Sequence, residues 1–280
     1  MSGDTPDGIE LFMLALMPTG KVHLAAGLAA GLALLALSVW PAPAQAPAQT
    51  KALSKIAPGT APQRVVSINL CTDQLAMLLA APGQVQSVTH VSLDTRMSPM
   101  AKQAAQYTIN HGLAEEIYML RPDLVLAGIY TPRETTAMLD RLGIPVEVFA
   151  PITSLDDLRD NLMQMGAALH RDAAARSELD MFDARLAALT EEPVGGASGP
   201  GPLAALYYAN GHTAGTASLA HELLEAAGLR NAVVEAGYTD GGKLALETLA
   251  MIQPQMVITA QQYPGGSHAE QIMDHPVVAG

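Results

Sequence analysis

The sequence predicts an α/β protein with two Rossmann-like lobes, mostly parallel sheets, joined by one long α-helix. Three observations carry this. Short apolar runs alternate with helical patterns from Arg64 to Ala150 and again from Leu203 onward, as parallel βαβ units do. Between the halves, residues 153–193 keep helical spacing until Pro193. One stretch of sequence also occurs twice, once in each half. The chain has 280 residues, 49% hydrophobic and 15% charged, so it has ample material for a core.

The N-terminus reads as an export address. Leu24 to Val39 is a run of 16 residues without charge, shorter than the roughly 20 that span a bilayer. Lys21 and His23 precede it, and Ala42-Pro43-Ala44 follows as a small-x-small cleavage pattern. Residues 1–44 therefore form a secretory signal peptide, with Met17 as a plausible true start. No cysteine near the cleavage site could carry a lipid. Residues 45–63, rich in Pro and Ala, read as a flexible leader.

The N-terminal α/β lobe covers 64–152. Val65–Asn69 and Val85–Val91 are strand candidates, with a helix from Thr72 to Ala81 between them. Glu115–Leu120 is a short helix stopped before Pro122, because the residue before proline avoids the α region. Asp123–Gly128 is a strand, Thr131-Pro132 opens a helix to Leu142, and Val146–Ala150 is a strand. Ser154-Leu-Asp-Asp157 is a capping box. Leu155, Leu158, Leu162, Met165, Leu169, Leu179, Phe182, Leu186 and Leu189 then continue one linking helix over 153–193. At 1.5 Å per residue that is about 55 Å, long enough to cross between lobes. The C-terminal α/β lobe, 202–280, repeats the alternation: a strand at Leu203–Tyr208, helices at Leu219–Ala227 and Leu246–Ile252, and a strand at Met256–Ala260.

Composition excludes some functions. Lys+Arg is 15 against Asp+Glu 27, a net charge of −12, which argues against nucleic acid. A single cysteine, Cys71, excludes an internal disulfide framework and Cys-rich metal sites.

The repeat ties the halves together. Glu115, Met119, Pro122 and Val125 recur as Glu247, Met251, Pro254 and Val257, at a constant offset of 132. Each unit is a Glu in the first turn of a short helix, a Pro at its end, then a buried strand. Pseudo-symmetric lobes would place the two acids at equivalent points, suited to a two-point electrostatic dock onto a basic partner.

This order of elements resembles the periplasmic substrate-binding proteins of ABC importers for cobalamin, iron–siderophores and haem. Leu120-Arg-Pro-Asp-Leu-Val-Leu-Ala127 is similar to that family's Leu-Lys-Pro-Asp-Leu-Val signature. The resemblance implies a monomeric, non-enzymatic periplasmic protein without an intrinsic cofactor. It would capture a metal chelate between its lobes and deliver it to an inner-membrane permease with its cytoplasmic ATPase. It also implies that Glu115 and Glu247 contact arginines of the permease. The family continues past the His-Pro-Val-Val segment, so the second lobe, ending at Gly280, is expected to be C-terminally truncated.

Ligand residues are expected on loops at strand ends, where open α/β sheets bind ligands. In the first lobe these are Cys71 and Thr72, Asp94 and Arg96, and Tyr130. In the second they are Tyr207, Asn210, His212 and Tyr238. A Tyr or His could ligate haem iron or hydrogen-bond a chelate. Trp40 lies in the signal peptide, so the exported chain has no tryptophan to clamp a corrin, which lowers cobalamin relative to an iron chelate. Two alternatives remain at this point. His212, His221, His268 and His275 could make a zinc- or manganese-binding ABC receptor. Cys71 with a histidine could make an exported hydrolase.

Overall fold

A computed structural model describes residues 60–191, 200–260 and 268–279. The signal peptide and nearly all of the leader lie outside the described residues. The first lobe holds β1 (Val65–Ser67), α1 (Leu70–Leu79), β2 (Val85–Thr89), α2 (Ala101–Ala104), β3 (Thr108–Asn110), α3 (Ala114–Met119), β4 (Leu124–Gly128), α4 (Arg133–Arg141) and β5 (Val146–Phe149). Its sheet is parallel throughout, in the order β3-β2-β1-β4-β5. Strand alternation sorts the core into two layers. Val65, Leu124 and Leu126 face α1, with Leu75 and Leu79. Val66, Val125 and Ala127 face α3 and α4, through Ile117 and Leu139. Burial on both faces explains why these strands read as continuous apolar runs.

The segment expected as one linking helix is two helices. After α5 (Leu155–Leu169), His170 adopts a left-handed conformation at φ 56°, and α6 (Asp172–Glu191) begins two residues later. The amides of His170 and Arg171 close the end of α5 onto Ala167 and Gly166 oxygens, at 3.2 and 2.6 Å, in the manner of a left-handed helix cap. Histidine is among the non-glycine residues that tolerate this region, so the sequence carries no Gly or Pro to mark the break. The helices fold back on each other. Arg159 joins Asp156 and Asp183 and lies 5.6 Å from the Phe182 ring centre. Leu158, Leu162, Met165, Leu169, Ala175 and Phe182 complete the core layer over α1. The hairpin therefore covers a face of the first lobe.

The second lobe comprises β6 (Leu203–Leu206), β7 (His212–Thr213), α7 (Leu219–Ala226), β8 (Arg230–Asn231), α8 (Ala232–Glu235), β9 (Gly242–Lys243), α9 (Leu246–Ile252), β10 (Met256–Ile258) and α10 (Pro276–Ala279). A parallel sheet runs β10-β6-β8, and β7 pairs with β9 antiparallel. Ala204 and Leu206 pack toward Leu224 and Leu229. Ala205 and Tyr207 pack toward Val233 and Leu249. The two lobes meet where the Glu222 carboxylate of α7 accepts the Leu155 amide of α5 at 2.6 Å, an acid at a helix N-terminus.

The repeat has the same backbone in both lobes. α3 and α9 bury equivalent apolar residues, Ile117 and Leu249, and α3 buries Ala114 as well. Each is followed by a left-handed residue, Arg121 at φ 49° and Gln253 at φ 50°, then Pro122 or Pro254 and a parallel strand.

The hairpin needs a small residue at Gly166, where a Cβ would lie 2.4 Å from the Ala175 Cβ. Gly166→Ala should therefore lose about 1–3 kcal/mol by urea unfolding, despite alanine's better helix propensity. A neutral result would show that the helices separate freely.

Candidate functional site

All five strands of the first sheet point the same way, so their carboxyl ends share one edge. The strand order reverses at β1 and β4, the switch point at which such sheets bind ligands. Asn69 caps α1 there by accepting the Cys71 amide at 3.0 Å. The helix thus starts earlier than expected, at Leu70 instead of Thr72. Gly128, at the end of β4, admits the Asn69 amide so closely that a Cβ would sit 2.9 Å from its Nδ2.

Two of the expected ligand residues belong to the core instead. Thr72 is fully buried, and its hydroxyl bonds the Asn69 carbonyl at 2.9 Å and the Ser67 hydroxyl at 2.7 Å. Tyr207 is fully buried, and its hydroxyl donates to the Leu244 carbonyl at 3.2 Å. It follows the inward alternation of β6, which the preceding apolar residues already set.

The others are at the surface. Tyr130, just beyond β4, is 79% exposed. Cys71 is exposed in the first turn of α1. Its thiol is pushed up by desolvation and, second, by the nearby Asp73 carboxylate. Arg96 holds Asp94 through two side-chain hydrogen bonds, 3.0 and 2.8 Å, and these keep the Asp94 carboxyl down at about 2. In the second lobe, Asn210 is exposed in a left-handed turn at φ 58° after β6. His212 is exposed on β7 and Tyr238 beyond α8.

One residue escaped the sequence reading as a ligand. His111 follows β3 at the same edge, with its side chain exposed. The Glu116 carboxylate accepts its backbone amide at 2.7 Å and lies 3.0 Å from ring Nδ1. The His111 amide hydrogen bond is the main reason the Glu116 carboxyl is lowered, so it is ionised and can only accept. A carboxylate acceptor favours a proton on Nδ1, so in the neutral ring the lone pair is on Nε2, the arrangement in which a carboxylate orients a metal-ligating histidine. His90, following β2, stacks on the His111 ring with centres 5.0 Å apart and planes at 27°. The signal available in the sequence was a histidine directly after a strand with a glutamate five residues on.

Beneath the edge, buried Asp73 of α1 accepts the Thr89 amide at 3.1 Å and the Thr89 and Ser92 hydroxyls at 2.5 and 2.6 Å. Asn110 donates to the Ser67 carbonyl at 2.9 Å and the Ser87 hydroxyl at 2.8 Å. These ties fix the positions of the strand ends around His90 and His111.

The four histidines of the zinc alternative do not come together. His221 sits 3.5 Å from Glu225 and contacts Asn231, while His275 accepts the Val277 amide. Among the described residues no three His, Cys, Asp or Glu side chains form a group that could hold a metal ion.

The first lobe gathers polar side chains at its strand ends, where open α/β sheets take ligands. The family model for periplasmic binding proteins matches residues 65–280, and the chain belongs to that family. A cobalamin-binding protein of Halobacterium salinarum is 28% identical over 204 residues, 71% of this chain and 54% of that protein. The chain thus spans about half the length of that curated relative. A periplasmic heme-binding protein from Roseiflexus superposes with TM-score 0.61 at 22% identity, over 78% of this chain and 86% of that one. A periplasmic heme-binding protein of Vibrio cholerae gives 0.61 at 20% identity, over 78% and 84%. These likenesses establish the fold.

Burial raises the Asp73 carboxyl to about 6, against the pull of the Ser67, Ser92 and Thr89 hydroxyls. The folded state then holds this proton more tightly than the unfolded chain. Stability from this group is fully present below about pH 4 and is lost as pH rises through 6, by on the order of 2–3 kcal/mol. Asp73→Asn, whose amide oxygen can take the same donors, should remove that slope in urea unfolding between pH 4 and 7. Asp73→Ala should lose stability at every pH, by about 1–3 kcal/mol for stranded donors.

Proposed function

We propose that this protein is the periplasmic solute-binding component of an ABC importer. It captures a metal chelate between its two lobes and delivers it to an inner-membrane permease driven by a cytoplasmic ATPase. The observation that carries the reading is His111, braced at the carboxyl edge by Glu116 through its backbone amide and ring Nδ1, so that Nε2 is the nitrogen a metal would take. Such a nitrogen serves a metal that keeps an exchangeable axial position. A hexadentate iron–siderophore offers none, so the geometry favours haem or a corrinoid. Tyr130, Cys71 and the Asp94–Arg96 pair lie beyond neighbouring strands of the same sheet. Asn210, His212 and Tyr238 form the opposing wall, and Glu115 and Glu247 are the permease contacts.

The chemistry asked of the protein is binding alone. A nucleophilic cysteine needs its thiol lowered, whereas Cys71 is raised. The family supplies binding proteins, and the relatives named above are binding proteins, which supports the same conclusion.

Titrating the exported protein with hemin and with cobalamin should give a saturable shift in visible absorption with at least one of them. His111→Ala should abolish the axial-ligand signature and weaken binding at least tenfold. Glu116→Gln should weaken it by roughly ten- to a hundredfold through loss of ring orientation. An unchanged spectrum and affinity in His111→Ala would overturn the assignment.

A further inference from the structure

We infer that the dock onto the permease is apolar as well as electrostatic, and that Met119 and Met251 are its apolar half. This rests on the importer reading above. α3 and α9 carry Glu at the second helical position and Met four residues later, so the two side chains are neighbours on one helix face. Ile117 and Leu249 turn the opposite way, into the core. Met119 is 77% exposed and Met251 83%. They are the two most exposed large hydrophobic side chains among the described residues apart from Tyr130.

A single exposed methionine needs no explanation. Two at equivalent positions of a structural repeat, each beside a matched acid, are different. The repeat preserves little else on its outer face: Tyr118 corresponds to Ala250 and Leu113 to Ala245. Glu115 and Glu247 have no hydrogen bond or ion pair among the described residues, so their carboxylates are available to a basic partner. Exposed apolar groups beside unpaired charge mark association sites, and methionine's flexible thioether fits irregular sockets. The complementary surface is a pair of basic groups, each beside a shallow apolar socket, at matching points on the two halves of the permease.

Salt separates the two contributions, because exposed charge is screened and apolar burial is not. The test uses right-side-out membrane vesicles from the source organism, with binding of purified protein measured by co-sedimentation at 50 and 500 mM NaCl. Glu115→Gln/Glu247→Gln should weaken binding at low salt and flatten its salt dependence. Met119→Gln/Met251→Gln should weaken it about tenfold or more at both salts, while Met119→Leu/Met251→Leu should bind like wild type. Hemin and cobalamin titration should be unchanged in all three, which excludes misfolding. Peroxide, which makes methionine polar, should weaken the wild type and spare the Leu variant. Full binding by the Gln-for-Met variant, with the Glu variant impaired, would overturn the apolar half and leave the importer reading intact. Full binding by both would overturn the dock itself. Self-association of the wild type in sedimentation velocity, lost in the Met variant, would reassign the surface to a second copy of this chain and so overturn the proposal.

Discussion

The candidate site depends on β1 lying between β2 and β4 with all three parallel. That pairing brings five strand ends to one edge and makes β1–β4 the point where the chain turns both ways. The edge is then tied by polar side chains that work at right angles to the strands. Asn110 reaches from β3 to the Ser67 carbonyl and the Ser87 hydroxyl. Asp73 reaches from α1 to the end of β2. Each tie is buried, so breaking it would strand a polar group away from water. A rigid edge matters for a binding protein, since a ligand pays less when the groups that meet it are already placed.

The same economy appears between the lobes. The α5–α6 hairpin spends its apolar surface on the first lobe, through Leu162, Met165, Leu169 and Phe182. Contact with the second lobe includes a charged acceptor, Glu222, at a helix N-terminus. The first lobe and hairpin thus share one core, while Ala204 to Tyr207 serve two separate core clusters of the second.

Much of this was legible in the residues. Apolar runs such as Val65–Val66 and Leu124–Ala127 located the central strands, because burial on both faces leaves no polar alternation. The offset of 132 located the repeated helix, since Glu, Met and Pro each occupy a position with a distinct physical demand. Short elements were missed, among them β3, β7 and β9, because two or three residues carry no periodicity. The linking helix was read as continuous because Leu179 resumes the heptad phase of Leu169, although Asp172 and Arg176 hold the positions between them. Nothing local distinguishes one helix from two that fold back.

By itself the sequence determined the α/β class, the two halves and the equivalence of Glu115 with Glu247. Those follow from patterns of burial and repetition that every residue in a segment helps to write. Only the tertiary structure decided which way single side chains turn. It put Thr72 and Tyr207 inside, left Tyr130 and both methionines out, and set Glu116 against His111. The physical reason is that a side chain's role at a strand end depends on partners from other strands and helices. Parallel pairing supplies those partners from residues distant in the chain.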